Sequence, residues 1–290
     1  MTIKIRQVVL ILSLSILMSC AGVLKNLRTS STSYVHRAPY YVGKAQVGRK
    51  QIGHLPVTFD KRLEDNIFDT SRRKALIPML EAMNAFLNDL RVSKPLPPIK
   101  LPLRDAPDVY VGNEDSDQSP VVATNAEEND DRIMIVYRYN PSGKWKEALL
   151  RLANARGVDY VLYITLGFSE YFVRQKNLLG SKELELGTGY VLPVKWLSDL
   201  DTPVEVLHVA GALLDKNGKI LRAGAEGIVA KQTGFLWSLF DVREMITAED
   251  IEKLLQEERR QDLPDKPLAW QVALQNLVAQ LTGRADLIVE

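Results

Sequence analysis

The stretch that decides the fold is VEVLHVAGALLDKNGKILRAGAEGIVAK, residues 204–231. Two runs rich in Val, Leu and Ala flank Asn217-Gly218, a dipeptide typical of two-residue hairpin turns because a type I′ turn needs positive φ at both positions. The stretch therefore predicts a long antiparallel β-hairpin with a defined register. Its central pairs are Ala210 with Ala225, Gly211 with Gly224 and Ala212 with Ala223.

The register also assigns side chains to the two faces of the hairpin, because cross-strand partners share a face. The four alanines form a smooth patch that a helix can approach closely, and we expect the closing helix, residues 266–283, to lie on it. Arg222 and Glu226 share one face and are candidate partner-binding residues, with a solvated sheet face as the alternative. His208 points from the opposite side.

The segments around the hairpin predict an α/β (α+β) protein: a mixed β-sheet with long hairpins packed against helices, in a single globular domain. Apolar residues at helical spacing predict helices, and short apolar or alternating runs predict strands. The helical segments are 72–94, 141–157, 247–260 and 266–283, and the strand segments include 107–112, 132–137, 159–168 and 182–196. The segments 160–171 and 182–196 form a β excursion whose alternation and length also suit insertion into a membrane.

An acidic loop separates the strand segments 107–112 and 132–137. Its carboxylates are candidate Ca²⁺ ligands, but the glycine and the final glutamate of an EF-hand loop are absent, so a solvated loop is favoured. The carboxylates belong to Asp115, Asp117, Glu128, Asp130 and Asp131.

The first 19 residues, MTIKIRQVVLILSLSILMS, have the layout of a secretory signal: two cations, a short apolar block and a small residue. The apolar block is too short to span a membrane, which takes about 20 residues. Cys20 follows directly and is the only cysteine in the chain, so an internal disulfide is excluded.

Leu17-Met18-Ser19-Cys20 resembles the lipobox of bacterial lipoproteins. The resemblance implies cleavage before Cys20 and acylation of both its sulfur and its new amino group, and several acyl chains anchor a protein stably to a membrane. Ala21, rather than an aspartate, implies the outer membrane, with the body facing the periplasm. The expected organisation is a signal peptide at 1–19, a lipidated tether at 20–56 and an αβ domain at 57–290.

The residues that carry most enzyme chemistry are scarce in this sequence. His36, His54 and His208 are the only histidines, and no His/Cys cluster has the spacing of metal ligands. Lys and Arg number 37 against 36 for Asp and Glu, so no excess of positive charge indicates nucleic-acid binding. We therefore expect no catalytic residues, no metal and no cofactor.

The order of elements resembles the αβ body shared by curli secretion channel lipoproteins, lipoprotein activators of penicillin-binding proteins and the amino-terminal domain of TolB. The resemblance covers residues 130–285 and includes Asp215-Lys-Asn-Gly218 at the hairpin turn. It implies a non-enzymatic envelope accessory protein, an adaptor or activator that contacts other envelope proteins. The alternative that it implies is a homo-oligomeric export channel subunit whose β excursion enters the outer membrane.

Overall fold

A computed structural model describes residues 50–65, 70–113, 121–123, 135–173, 182–185, 191–194, 202–232, 245–256 and 267–288. The helices are α1 (Lys61–Asp65), α2 (Thr70–Asp89), α3 (Gly143–Arg156), α4 (Ala248–Gln256) and α5 (Ala269–Thr282). The strands are β1 (Ile52–His54), β2 (Thr58–Phe59), β3 (Lys94–Pro95), β4 (Asp108–Asn113), β5 (Val121–Ala123), β6 (Ile135–Asn140), β7 (Tyr160–Val173), β8 (Lys182–Glu185), β9 (Val191–Val194), β10 (Thr202–Asp215) and β11 (Ile220–Gln232). The predictions for the signal peptide, for Cys20 and for the candidate Ca²⁺ ligands concern residues outside these ranges.

The main sheet is mixed, as the sequence predicts, with the strand order β11-β10-β7-β1-β3 and with β2 beside β7. β7 and β10 are antiparallel and pair over 14 consecutive positions, from Thr202 opposite Val173 to Asp215 opposite Tyr160. On its other edge β7 pairs in parallel with β1 and then with β2. The helices and this mixed sheet form an α+β domain.

Two hydrophobic clusters cover the two faces of the main sheet. Helices α2, α4 and α5 pack on one face, against residues of β7, β10 and β11 such as Ile164 and Val209. Helix α3 and the small antiparallel sheet β4-β6-β5 pack on the other face, where Trp145 and Tyr139 lie against Val161 and Tyr163. The main sheet is therefore buried on both sides.

The alanine patch lies on the α3 side of the sheet, not under the closing helix, so that expectation is wrong. Ala210, Ala212, Ala223 and Ala225 belong to the cluster that contains Trp145 and Leu149 of α3. Helix α5 packs on the opposite face, where a Cβ added to Gly211 would lie 3.2 Å from Leu277 and from Leu281. Alternation along a strand separates the two faces but does not determine which helix covers each of them.

The hairpin has the predicted central register but a different turn. Asp215 N donates to Lys219 O, and among residues 216–218 only Gly218 has positive φ, so the loop has three residues and is not type I′. A three-residue loop alone would shift the pairing by one. A bulge next to Leu213, which leaves Leu221 as the extra residue, restores the predicted pairing of Ala212 with Ala223.

Two further predictions are corrected by the strand pairing. The run 182–196 is not one long strand, because β8 and β9 pair with each other, with Glu183 opposite Pro193. The tether does not extend to residue 56, because β1 is buried and pairs with both β7 and β3. The domain therefore begins before residue 57.

The helix ends follow the sequence signals closely. Ser142 accepts a hydrogen bond from Trp145 N at the start of α3, and Gly157 ends that helix in a left-handed conformation. Gly283 ends α5 in the same way. Pro78 lies inside α2, two turns after its start.

We predict that Gly218→Ala lowers the free energy of unfolding by about 1 to 2 kcal/mol, because Gly218 has φ +78°, which costs energy for a residue with a Cβ. Gly143→Ala is the matched control, since no heavy atom lies within 4 Å of an added Cβ there. Urea unfolding of both variants measures the difference. Equal midpoints for the two variants would contradict the turn geometry.

Candidate functional site

In the part of the chain that the structure describes, the main sheet has an open position beside β2. β1 is flanked by β7 on one side and by β3 on the other. β3 ends at Pro95, opposite His54, whereas β2 continues along β7 with Thr58 opposite Thr165. Among the described strands, only β7 pairs with β2, so the place next to β2 in line with β3 is unfilled by a strand.

A groove with a volume of about 570 Å³ lies at this open position, and we call it the edge groove. Helix α2 forms one wall, the segment 103–107 forms the other, and β2 and Tyr163 lie between them. The lining residues are Thr58, Phe59, Lys61, Glu64, Arg73, Ile77, Leu80, Leu103, Ala106, Pro107 and Tyr163. The volume falls in the range of ligand-binding clefts, about 300 to 1,000 Å³.

Main-chain groups of the β1–β2 segment that point away from β7 form hydrogen bonds within the protein as far as Val57. Leu96 N donates to His54 O at 2.9 Å. The side-chain amide of Asn84 then accepts from Val57 N at 2.8 Å and donates to Val57 O at 3.2 Å. The Asn84 side chain thus makes the two hydrogen bonds to Val57 that a residue of a neighbouring strand would otherwise make.

Phe59 is the next residue whose main chain points away from β7. Asp60 N donates to Leu166 O, and Phe59 is opposite Leu166 in the parallel register. In such a ladder, the N–H and C=O of a residue between two bonded neighbours point to the other edge. The main-chain groups of Phe59 therefore point toward the open position.

The rim of the edge groove is charged, with Lys61 and Arg73 against Glu64. Arg73 Nη1 donates to Glu64 O at 2.9 Å and lies 3.9 Å from Glu64 Oε1. Both side chains are partly exposed, so this pair contributes little to stability. Ile77 is the most exposed of the large apolar side chains in the described part of the chain, at 42%.

Asp60 is buried directly behind β2. Its Oδ1 accepts a 2.7 Å hydrogen bond from Leu63 N at the start of α1, and its carboxylate rests on Gly167 of β7, where an added Cβ would overlap it. Burial raises the pKa of Asp60 to about 6, against the opposing effects of its backbone hydrogen bonds and of Arg62. Burial also raises the pKa of Tyr163.

The structure places the predicted site residues as the register requires, but not in a solvated surface. Arg222 is opposite Leu213 and Glu226 is opposite Val209, so the two share a face. That face is covered by α5: Arg222 Nη1 donates to Gln280 O at 2.6 Å, and Glu226 is only 7% exposed. The expectation of a partner-binding or solvated pair is corrected, and Arg222 binds the last turn of α5.

His208 points to the opposite face, as predicted, and is buried there. Its Nδ1 lies 3.4 Å from Ser169 Oγ, which donates to Val111 O at 2.6 Å. Burial lowers the pKa of His208 to about 4, so the imidazole is neutral at pH 7. Across the described ranges, no group of three or more His, Cys, Asp and Glu side chains is placed to hold a metal ion.

A second buried polar cluster fixes the start of α4. Arg72 Nη1 lies 2.7 Å from Glu205 Oε1, and Glu205 Oε2 accepts from Ile246 N at 2.5 Å. Lys231 Nζ lies 2.8 Å from Asp250 Oδ2, and Asp250 also forms a capping box with Thr247. These contacts join α2, the hairpin and α4.

Asp60, Gly167 and the edge groove were not identified from the sequence. The signal that was present is Asp60 before KRLED, since an aspartate before a helix is typical of an N-cap. The contact of Asp60 with Gly167 joins residues that are far apart in the chain, and no local pattern indicates it.

We predict that the change in the free energy of unfolding caused by Asp60→Asn, relative to the wild type, is more favourable at pH 7 than at pH 4. The pKa of Asp60 is raised in the folded state, so its contribution is complete below pH 3.8 and is lost as the pH rises through 6. At about 1.4 kcal/mol per pKa unit, the free energy of unfolding of the variant minus that of the wild type should be up to about 3 kcal/mol larger at pH 7 than at pH 4. The amide keeps the acceptor for Leu63 N.

Urea unfolding of both proteins at pH 4, 5, 6 and 7 measures this difference. His208 titrates with the opposite effect on stability, but it is common to both proteins and cancels in the difference. A difference that is constant with pH would contradict the raised pKa of Asp60.

None of the described helices has the length and apolar content needed to cross a membrane. No protein-family model matches the chain, and no curated protein matches it. Among solved structures, the PelC dodecamer from Paraburkholderia phytofirmans is 12% identical, with 74% of this chain and 91% of that chain covered and a TM-score of 0.21. A point variant of the same dodecamer is 11% identical, with the same coverage and a TM-score of 0.23. At these TM-scores the similarity defines neither a shared fold nor a shared function.

Proposed function

We propose that this protein is a lipid-anchored protein of the bacterial outer membrane, facing the periplasm, that acts without catalysis by binding another envelope protein in the edge groove. The lipobox-like sequence at Cys20 supports the anchor. The observation that carries the binding role is the open strand position beside β2, between the walls formed by α2 and by residues 103–107.

The chemistry of the edge groove favours binding over catalysis. Its lining is mostly apolar, with Ile77, Leu80 and Leu103 on the walls, and its charges lie on the rim. Asp60, the carboxyl group with the largest change in pKa nearby, faces Gly167 and Leu63 N and does not line the groove. A general acid or base has to reach the molecule bound in the groove, and Asp60 is not among the lining residues.

The export channel alternative depended on two long strands in the β excursion. Every residue of β7 pairs with β10 in the main sheet. The described parts of 182–196 are two four-residue strands that pair with each other. No contact in the described residues favours a channel, so we do not retain it as a second function.

The anchor is tested by Cys20→Ser. We expect the wild type to incorporate labelled palmitate and to fractionate with the outer membrane, because the thioether forms on the cysteine sulfur. The variant should incorporate no label and should keep its signal peptide. Incorporation of label into Cys20→Ser would contradict the lipobox interpretation.

The binding role is tested by site-specific photo-crosslinking in the native cell. We expect a benzoylphenylalanine at Ile77, 42% exposed in the edge groove, to form an adduct with one partner protein. The matched control is the same probe at Met245, which is 41% exposed and outside the groove. No adduct at Ile77, or the same adducts at both positions, would overturn the proposal.

A further inference from the structure

We propose that the edge groove binds an extended peptide segment of the partner, which adds as a strand to β2 and carries a short apolar run next to an acidic residue. This inference rests on the proposed function and specifies the chemistry of its partner. Strand addition uses main-chain hydrogen bonds for affinity and side-chain pockets for specificity.

The hydrogen-bonding groups along the edge lead to this mode of binding. Leu96 bonds His54, and the amide of Asn84 bonds both main-chain groups of Val57. The same edge continues at Phe59, whose main-chain groups point toward the open position. A strand in the groove would continue this series of bonds at Phe59.

The two walls of the edge groove determine which side chains of the added strand fit, apolar or polar. Successive residues of a strand point to opposite faces of the sheet. In the edge groove one face is occupied by Ile77 and Leu80 of α2, and the other by Leu103 and Pro107. Both faces are apolar, so consecutive apolar residues fit better than an alternation of apolar and polar residues.

The charged residues on the rim of the edge groove determine the charge expected of the bound peptide. Lys61 and Arg73 outnumber Glu64 among the charged lining residues, and Arg73 is the one that lies against Glu64, which leaves Lys61 as the cation for a ligand. An acidic side chain next to the apolar run is complementary to this rim. The chain's own segment 21–49 has five Lys and Arg residues and no Asp or Glu, so its charge does not suit the groove.

The test selects ligands from a displayed library of random octapeptides with the full lipidated protein in detergent micelles. The selected peptides are synthesised, and their Kd is measured by fluorescence anisotropy for the wild type, Ile77→Glu, Met245→Glu and Lys61→Glu. We expect an apolar run beside Asp or Glu in the selected peptides. We also expect Kd to rise at least tenfold for Ile77→Glu, which places a charge in the groove, and to change less than twofold for Met245→Glu.

Two further measurements test the main-chain hydrogen bonds and the charge complementarity separately. N-methylation of one amide in the apolar run should weaken binding about fivefold or more in at least one position, because it removes a main-chain donor. Lys61→Glu should weaken the binding of acidic peptides by a few-fold at low salt, and 0.5 M salt should reduce that difference because Lys61 is partly exposed to solvent.

Several outcomes overturn the inference. They are selection of no peptide, selection of basic peptides, binding that is insensitive to Ile77→Glu, and binding that tolerates N-methylation at every position. If the crosslink at Ile77 still forms in cells in any of these cases, the edge groove binds a partner in another conformation and the proposed function stands. If both experiments fail, the proposed function fails with the inference.

Discussion

Strand β7 is paired on both edges and covered on both faces, and the other layers take their positions from it. Its 14 pairs with β10 contain no bulge, whereas β1 and β2 occupy its other edge. Residues 161–167 are all buried, which is typical of a strand between two layers of structure. The helix layer of α2, α4 and α5 packs on one face of this strand, and the layer of α3 with β4-β6-β5 packs on the other.

The pattern of side chains was sufficient to predict α2 to α5, the strands β4, β6 and β7, and the pairing of β10 with β11, but not the strands β1, β2, β3 and β5. The alternation in residues 204–231 predicts Ala210 opposite Ala225, and that pair forms although the turn is not the expected type. The loop has one more residue than predicted, and the bulge at Leu221 compensates because burial on both faces penalises a slip of the pairing. The predicted register is thus maintained by packing rather than by turn geometry alone.

Contacts between distant segments were not predictable in the same way. Strand alternation separated the alanine face from the face of Arg222 and Glu226, but it did not indicate that α5 covers the latter. The edge groove depends on where β3 ends and on a segment assigned to the tether, so its lining comes from parts of the chain with no shared pattern. Asp60 shows the same limit, since its N-cap role is local and its contact with Gly167 is not.

The two kinds of ion pair in the structure have different consequences. Arg72 and Glu205 are buried, and burial raises the pKa of Glu205 although Arg72 opposes that effect. Removing one partner of such a pair costs about 3 to 5 kcal/mol, so it holds α2 and the hairpin in one arrangement. Arg73 and Glu64 are partly exposed at the groove and contribute little to stability. The buried pair therefore fixes how α2 lies against the hairpin, while the groove rim retains charges that can reorganise.

The two edges of the main sheet differ in a way that bears on the role of the groove. Unpaired strand edges promote aggregation, and proteins protect them with bulges, prolines and charges. β11 has two bulges along its pairing with β10, and the β3 edge ends in Pro95. At the groove, Asn84 satisfies Val57, and Lys61 and Arg73 flank the opening. Within the described residues of this edge, the short segment at Phe59 is left for another strand, and apolar side chains of α2 and of residues 103–107 lie on its two faces. An opening of this length is too short for the sheets of two molecules to pair edge to edge over many residues. It is long enough to bind a short peptide segment.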